Sequence, residues 1–168
     1  MLFNDEAIYG VAESIDDTKW FCLPYEGIVE NWKPLKLKLV EGIFSDYLAN
    51  DLGVRLCSER LKNLFDCHAS SGDELQWLPV EVTGENGSSE TYEILHFPNP
   101  PDILDKNKSI YALDSVVKPV LSKTAVSGHQ VFAYPHAGEL RLFVSETVKT
   151  AIKTEGCTGM ELSKAPVV

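Results

Sequence analysis

Only two segments of this chain have the pattern of an amphipathic helix, and both begin with the same Ser-Glu pair. Ser58-Glu59 precedes apolar residues that recur three and four positions apart, and Ser145-Glu146 opens a second such stretch. Serine is a favoured N-cap, and a glutamate in the first turn suits the positive end of the helix dipole. We predict helices over about 59–67 and 146–155, and we attribute the shared start to independent use of one cap rather than to internal duplication.

Most of the remaining chain has the pattern of strands and turns. Residues 35–39 alternate strictly between leucine and lysine, which indicates a half-buried strand. Residues 75–82 and 91–97 are rich in strand-forming side chains, and the polar stretch 83–90 between them contains Asn-Gly. That order predicts a β-hairpin.

The other elements are predicted from shorter signals. Residues 44–52 suggest a short helical turn before a glycine, whereas 116–126 and 129–134 suggest strands, and a last strand begins at Met160. Strands and helices are segregated, without regular βαβ alternation. We therefore predict an α+β fold, a mainly antiparallel sheet of about six to eight strands with two helices, in a single domain over 1–168.

Composition excludes several classes of protein. The 168 residues are 44% hydrophobic, which is too apolar for a disordered tail, and no apolar run is long enough for a transmembrane helix. The formal net charge of −10 argues against a general nucleic-acid binder. The first residues lack a signal-peptide pattern, so we expect a cytoplasmic protein without membrane contact.

Catalytic and metal motifs are absent from the sequence. It contains no Walker loop, dinucleotide-binding glycine motif, nucleophile elbow or zinc-protease motif. Cys57, Cys67 and His68 have no standard zinc spacing, and we interpret the cysteines as core residues. His129 and His136 are interpreted as isolated surface histidines. We predict no metal and no cofactor.

One stretch imitates the start of a calcium loop. Asp105 begins an alternation of oxygen-bearing side chains, but Ile110 stands where the loop needs glycine, and Val116 stands where it needs glutamate. We therefore predict that Asp105 and Ser109 fix a turn by bonding nearby backbone groups.

The order of several short motifs carries a family resemblance across about residues 30–165. The motifs are Trp32-x-Pro34, Val54–Phe65 with its Ser58-Glu59-Arg60-Leu61 helix start, Leu78–Val82, Tyr92–Phe97, Leu104-Asp105 with Ser109, Leu142–Glu146, and Gly156–Glu161. In this order the chain resembles a bacterial immunity-protein family of polymorphic toxin systems, first known as a domain of unknown function. The resemblance implies a non-enzymatic intracellular antidote, often encoded beside its toxin, and nuclease toxins accompany some members. It supplies no catalytic residues and leaves the oligomeric state open.

The charge distribution suggests where such an antidote would bind its toxin. Residues 1–84 hold 15 acids and 7 bases, whereas 85–168 hold 10 acids and 8 bases. Nuclease toxins need basic grooves, for which an acidic surface can compete, and aromatic residues dominate interface hot spots. The aromatics and acids that we expect to contact the toxin are Asp16, Asp17, Trp20, Tyr25, Glu26 and Trp32.

Three alternatives compete with that interpretation. Each aromatic side chain could instead pack in the core. The chain could be a small enzyme that uses Cys57, Cys67 and His68, or an adaptor domain of a secretion apparatus that binds a constant component. The identity of the partner separates the adaptor from the antidote, and the sequence does not.

Overall fold

A computed structural model describes residues 1–4, 9–15, 22–113, 115–135 and 140–168, which contain twelve strands and two helices. These elements are β1 (Leu2–Asn4), β2 (Val11–Ser14), β3 (Leu35–Glu41), β4 (Tyr47–Asn50), β5 (Leu56–Ser58), α1 (Glu59–His68), β6 (Gln76–Thr83), β7 (Ser89–His96), β8 (Ile110–Ala112), β9 (Ser115–Lys118), β10 (Val131–Phe132), β11 (Phe143–Val144), α2 (Glu146–Glu155) and β12 (Met160–Leu162). The predicted α+β class is confirmed.

Six of the strands close into a small barrel in the order β2-β3-β6-β7-β5-β4. The β3–β6 and β2–β4 pairs are parallel, and the other four pairs are antiparallel. The central sheet is therefore mixed rather than purely antiparallel. The β1–β12, β8–β9 and β10–β11 pairs form three further two-stranded sheets in the described part of the chain.

The interior of the barrel follows from the alternation along its strands. In β3, Leu37 and Leu39 point into the barrel and are buried, while Lys36 and Lys38 are exposed. The same period of two runs along β6. The buried side chains of this first core are Ala12, Leu37, Leu39, Leu48, Val54, Leu56, Leu78, Val80, Val82, Tyr92 and Ile94.

Two further cores lie outside the barrel. The apolar stripes of both helices pack against outward-facing barrel side chains such as Tyr47, Cys57 and Leu95. The predicted stripe of α1 is confirmed, because Leu61, Leu64 and Phe65 are its buried residues. The third core joins the later strands and loops through Ile103, Val116, Leu121, Phe132, Tyr134 and Phe143.

Both predicted helix starts are confirmed at the level of individual atoms. The Ser58 hydroxyl accepts a hydrogen bond from the Leu61 N–H at 3.2 Å. The Ser145 hydroxyl accepts one from the Val148 N–H, also at 3.2 Å. At the other end of α2, Gly156 adopts φ +65°. That left-handed conformation suits glycine and ends the helix.

We expect Ser58→Ala and Ser145→Ala each to lower the free energy of unfolding by about 1–2 kcal/mol, because each removes the acceptor for an orphan helix N–H. Urea denaturation at neutral pH measures the change. Ser127→Ala is the control, since Ser127 is exposed in a loop. Cap variants as stable as this control would contradict the expectation.

One local prediction is wrong, and two predicted strands are shorter than expected. Residues 44–52 contain the strand β4 rather than a helical turn. Its alternation is hidden because Leu48 faces the barrel core while Tyr47 faces the helices, so apolar residues occupy both sides. The strand predicted over 116–126 ends at Lys118, before Pro119, and only Val131–Phe132 of the segment 129–134 is a strand.

Candidate partner-binding surface

The segment 22–34 lies across the end of the barrel at which β6 begins and β7 ends. The Gln76 side chain binds both backbone groups of Val29, accepting from its N–H at 2.9 Å and donating to its carbonyl at 2.8 Å. His96 of β7 pairs with Gln76 of β6, and its ring nitrogen Nε2 lies 2.7 Å from the Gly27 carbonyl oxygen. These bonds fix the backbone of the segment to the barrel.

Trp32 fixes the other end of the same segment. Its indole N–H donates to the Pro79 carbonyl at 2.9 Å, and its half-buried ring packs against the barrel core. Leu23 and Val29 pack against the same core. These two contacts join Trp32 to the barrel, and whether it also contacts a partner stays a prediction.

Between these anchors the segment presents an aromatic and an aliphatic side chain to solvent. Tyr25 is 51% exposed and Ile28 is 72% exposed, and the carboxylates of Glu26 and Glu30 are exposed beside them. Gly27, at φ +87°, makes the turn that separates Tyr25 from Ile28. A surface already held in one conformation loses little entropy when it binds a partner.

A cleft of about 160 Å³ adjoins Tyr25. Arg55 lines the cleft together with Phe97 and Leu140. Its guanidinium carbon lies 5.3 Å from the centre of the Phe97 ring, and its Nε donates to the Leu140 carbonyl at 3.2 Å. Pockets for whole small ligands usually enclose about 300–1,000 Å³. This cleft is therefore smaller than a typical pocket for a whole small ligand.

The structure brings together only part of the predicted interface. Tyr25 and Glu26 are adjacent on the exposed turn, whereas Asp16, Asp17 and Trp20 lie outside the described residues. The sequence interpretation missed Ile28 and Glu30, which complete the turn, and the cleft-lining Arg55, Phe97 and Leu140. An isoleucine directly after glycine, in a stretch without strand or helix periodicity, was the one available signal for Ile28.

A buried carboxylate connects the barrel to both helices. Asp46, only 8% exposed, accepts two hydrogen bonds from Arg60, at 2.6 and 3.1 Å. It also accepts from the Ser58 hydroxyl at 2.7 Å and from the Thr158 N–H at 2.8 Å. Arg60 donates further to the carbonyl of Gly156. Asp46 therefore ties the start of α1 to the loop that follows α2.

A second carboxylate connects the loop after α1 to β10. The Asp73 side chain has no exposed surface and accepts backbone N–H bonds from Ser70, Gln130 and Val131. Nδ1 of His129 lies 2.7 Å from its other oxygen. His129 is thus part of a structural network, so the interpretation of it as an isolated surface histidine is wrong, while His136 lies outside the described residues.

Three pKa values, those of Asp46, Asp73 and His96, are shifted in directions that weaken the fold in acid. Burial opposes the charge of Asp46, but the bonds from Arg60, Thr158 and Ser58 outweigh it and lower the pKa. The pKa of Asp73 is lowered in the same way, because its hydrogen-bond donors outweigh burial. Burial also lowers the pKa of His96.

We expect stability to fall in two steps as the pH decreases. Below about pH 6.5 the unfolded chain protonates His96 more readily than the folded chain does. Below about pH 4 the unfolded chain also protonates Asp46 and Asp73 more readily than the folded chain does. The contribution of these two carboxylates to the free energy of unfolding is therefore complete only above that pH. Urea denaturation at several pH values measures both steps. In His96→Gln the upper step should shrink, and a stability independent of pH between 7 and 3 would contradict this account.

Family comparison decides what class of protein presents this surface. The profile of the Imm11 immunity protein family matches residues 36–167. The chain belongs to the Imm11 immunity protein family. Membership identifies an immunity protein directed against a toxin, as the motif order implied. No curated protein matches the chain.

The Imm11 match covers β3 to β12 and both helices, whereas the turn at 25–28 precedes it. The match therefore includes five of the six barrel strands and both helices, and the residues Gln76 and His96 that hold the turn belong to it. The turn lies outside the matched region and is held in place by side chains within that region.

The candidate enzyme residues of this Imm11 chain lie in different surroundings. Burial raises the pKa of the Cys57 thiol, which suppresses the reactive thiolate. Cys57 is buried in the core as predicted, whereas Cys22 and Cys67 are exposed, so the interpretation of the cysteines as core residues is wrong for these two. His68 bonds the Leu64 carbonyl of its own helix. No group of three potential metal ligands occurs among the described residues.

The calcium-like segment of the Imm11 chain forms the turn that we predicted. Oδ1 of Asp105 accepts from the N–H groups of Asn107 and Lys108 at 3.0 and 3.1 Å. The Ser109 hydroxyl bonds both backbone groups of Val120.

Neither described helix has the length and apolarity needed to cross a membrane.

Proposed function

We propose that this chain binds a cognate secreted toxin effector and neutralises it by occluding the active site. One observation carries the proposal: the rigid turn of segment 22–34 exposes Tyr25 and Ile28 between two carboxylates, beside a small cleft. Exposed aromatic residues on a rigid frame, next to a pocket, are typical of interface hot spots.

The chemistry of the described residues supports binding rather than catalysis. The buried carboxylates Asp46 and Asp73 have their oxygens occupied by structural donors. Every buried side-chain nitrogen and oxygen atom among the described residues has a hydrogen-bond partner. The proposed inhibitor acts in the cytoplasm without cofactor, metal, nucleic acid or membrane, and its toxin is encoded by an adjacent gene.

The charge of the chain favours a toxin with a basic groove, such as a nuclease. Residues 1–84 hold 15 acids against 7 bases, and Glu26 and Glu30 from this half flank Tyr25 and Ile28. A groove that binds phosphates is basic, and opposite charges accelerate encounter between proteins. The proposed complex therefore places the acidic turn over the substrate groove of the toxin.

Co-purification with the product of the adjacent gene tests the binding, and association kinetics test the role of charge. We expect the on-rate to fall by about tenfold or more between low and physiological ionic strength, because salt screens the attraction. If no neighbouring product binds, the proposal is wrong. A salt-independent on-rate would remove the basic-groove toxin while leaving inhibition by binding.

A further inference from the structure

The side-chain amide of Gln76 bonds Val29 in the way that a neighbouring strand would. Its oxygen accepts from the Val29 N–H at 2.9 Å, and its nitrogen donates to the Val29 carbonyl at 2.8 Å. Paired residues of antiparallel strands exchange the same two bonds between their backbones. The described residues 22–34 form no helix or strand of their own. A single side chain of β6 therefore supplies bonds that a sheet would otherwise supply.

Gly27, two residues earlier, is also bonded through both of its backbone groups. Its N–H donates to the Pro98 carbonyl at 2.6 Å, and its carbonyl oxygen lies 2.7 Å from Nε2 of His96. Because a carbonyl oxygen can only accept, Nε2 of His96 carries the hydrogen of this bond. His96 is only 4% exposed and pairs with Gln76 across β6 and β7. The two side chains thus hold the turn from one end of the barrel.

Ile28 lies between these two fixed residues and is presented to solvent. It is 72% exposed, whereas the next residue, Val29, packs against the barrel core. With the backbone bonded on both sides, the direction in which Ile28 projects is set before any partner arrives. Tyr25 precedes the same turn and is 51% exposed. The presentation of both side chains therefore depends on groups that lie in the barrel.

The binding competence of the turn depends on how much of the time these bonds are formed. A protein whose binding conformation is only partly populated has its affinity reduced by that fraction. Conversely, a turn that folding has already ordered adds little ordering cost when it binds. The side chains that hold the turn can therefore change the affinity for a partner that they do not touch.

We propose that Gln76, together with His96, is a positioning residue for toxin binding, which holds Ile28 and Tyr25 in the conformation that the toxin meets without contacting the toxin itself. This inference rests on the proposed function. The Imm11 match includes Gln76 and His96 and begins after the turn. Side chains of the matched region thus orient a binding segment that lies outside it.

Gln76→Met tests the proposal, because methionine keeps the length and neutrality of the side chain but makes neither bond to Val29. The probe is the catalytically inactivated toxin from the adjacent gene, and the binding kinetics of the full chain are measured well below its melting temperature. We expect the on-rate to fall about fivefold or more and the off-rate to change by about twofold or less, because only chains with the turn in place can bind. In the free chain, the Val29 amide should exchange its hydrogen about tenfold faster.

Gln130→Met is the matched control. Gln130 is also half-buried, and its side chain accepts a hydrogen bond from the Ser145 hydroxyl at the start of α2. This variant likewise removes a hydrogen bond of a glutamine side chain without a change in net charge. It should leave the on-rate and the exchange of the Val29 amide unchanged.

The outcomes separate this inference from the function on which it rests. If the wild-type chain binds the toxin and Gln76→Met binds with the same rates, Gln76 is not a positioning residue, and the proposed function stands. A faster off-rate with an unchanged on-rate would place the effect of Gln76 in the bound complex and would also overturn the inference. An equal loss of on-rate in Gln130→Met would assign the effect to general destabilisation. If the wild-type chain does not bind the toxin, both proposals fail.

Discussion

Asp46→Ala should lower the free energy of unfolding by about 2–3 kcal/mol, because it removes the buried acceptor of several hydrogen bonds while the Arg60 side chain, 49% exposed, stays partly solvated. Alanine leaves the Arg60 guanidinium, the Ser58 hydroxyl and the Thr158 N–H without their shared acceptor. Since the Asp46 side chain is only 10% exposed, little water can replace it. Urea denaturation at neutral pH measures the loss.

The control for Asp46→Ala is an ion pair of similar length on the surface. Asp102 lies 2.7 Å from Lys106, and both side chains are mostly exposed. Exposed pairs contribute little, because water solvates the separated charges almost as well. We expect Asp102→Asn to leave the midpoint of unfolding unchanged. Equal midpoints for Asp46→Ala and wild type would show that the buried network does not hold the helices to the barrel.

Tyr25→Ala should weaken toxin binding by about 30-fold or more, with no change in stability. The reason is that truncating a central aromatic anchor costs about 2 kcal/mol or more of binding free energy, whereas its side chain is half exposed in the free chain. Isothermal titration of the inactivated toxin measures the affinity, and thermal denaturation measures the stability.

Tyr25→Phe and Trp32→Phe are the companion variants. Tyr25→Phe keeps the ring and should retain most of the affinity. Trp32→Phe removes the indole donor to the Pro79 carbonyl, so we expect it to lower the stability of the chain more than its affinity for the toxin. Unchanged affinity in Tyr25→Ala would exclude this turn from the interface.

Local sequence rules predicted the elements whose signals lie within a few residues. Ser58 and Ser145 could be recognised as caps because the bonded N–H is three residues away. The β6–β7 hairpin was predictable for the same reason, since its loop and both strands are contiguous in sequence.

The barrel closure and the buried networks depend on contacts that no local pattern encodes. Closure of the barrel requires β2 to pair in parallel with β4, and β3 with β6, across long separations in sequence. The acceptor Asp46 meets Thr158 from the far end of the chain. A strand such as β4, with apolar residues on both faces, hides its own periodicity.

The candidate site was predicted only where exposure follows from composition. Tyr25 and Glu26 stand among turn residues, so exposure was a reasonable expectation. The cleft beside them combines the segment 22–34 with Arg55, Phe97 and Leu140, which only the folded barrel brings together. Asp16, Asp17 and Trp20 stay predictions.

Inhibition of the toxin in vitro tests the central claim most directly. The measurement is the activity of the adjacent-gene toxin on its substrate, at increasing concentrations of this chain and at several substrate concentrations. Occlusion of the active site predicts complete inhibition near one chain per toxin, relieved by excess substrate, and loss of potency in Tyr25→Ala. A toxin that remains fully active in the presence of excess chain would contradict the proposed function.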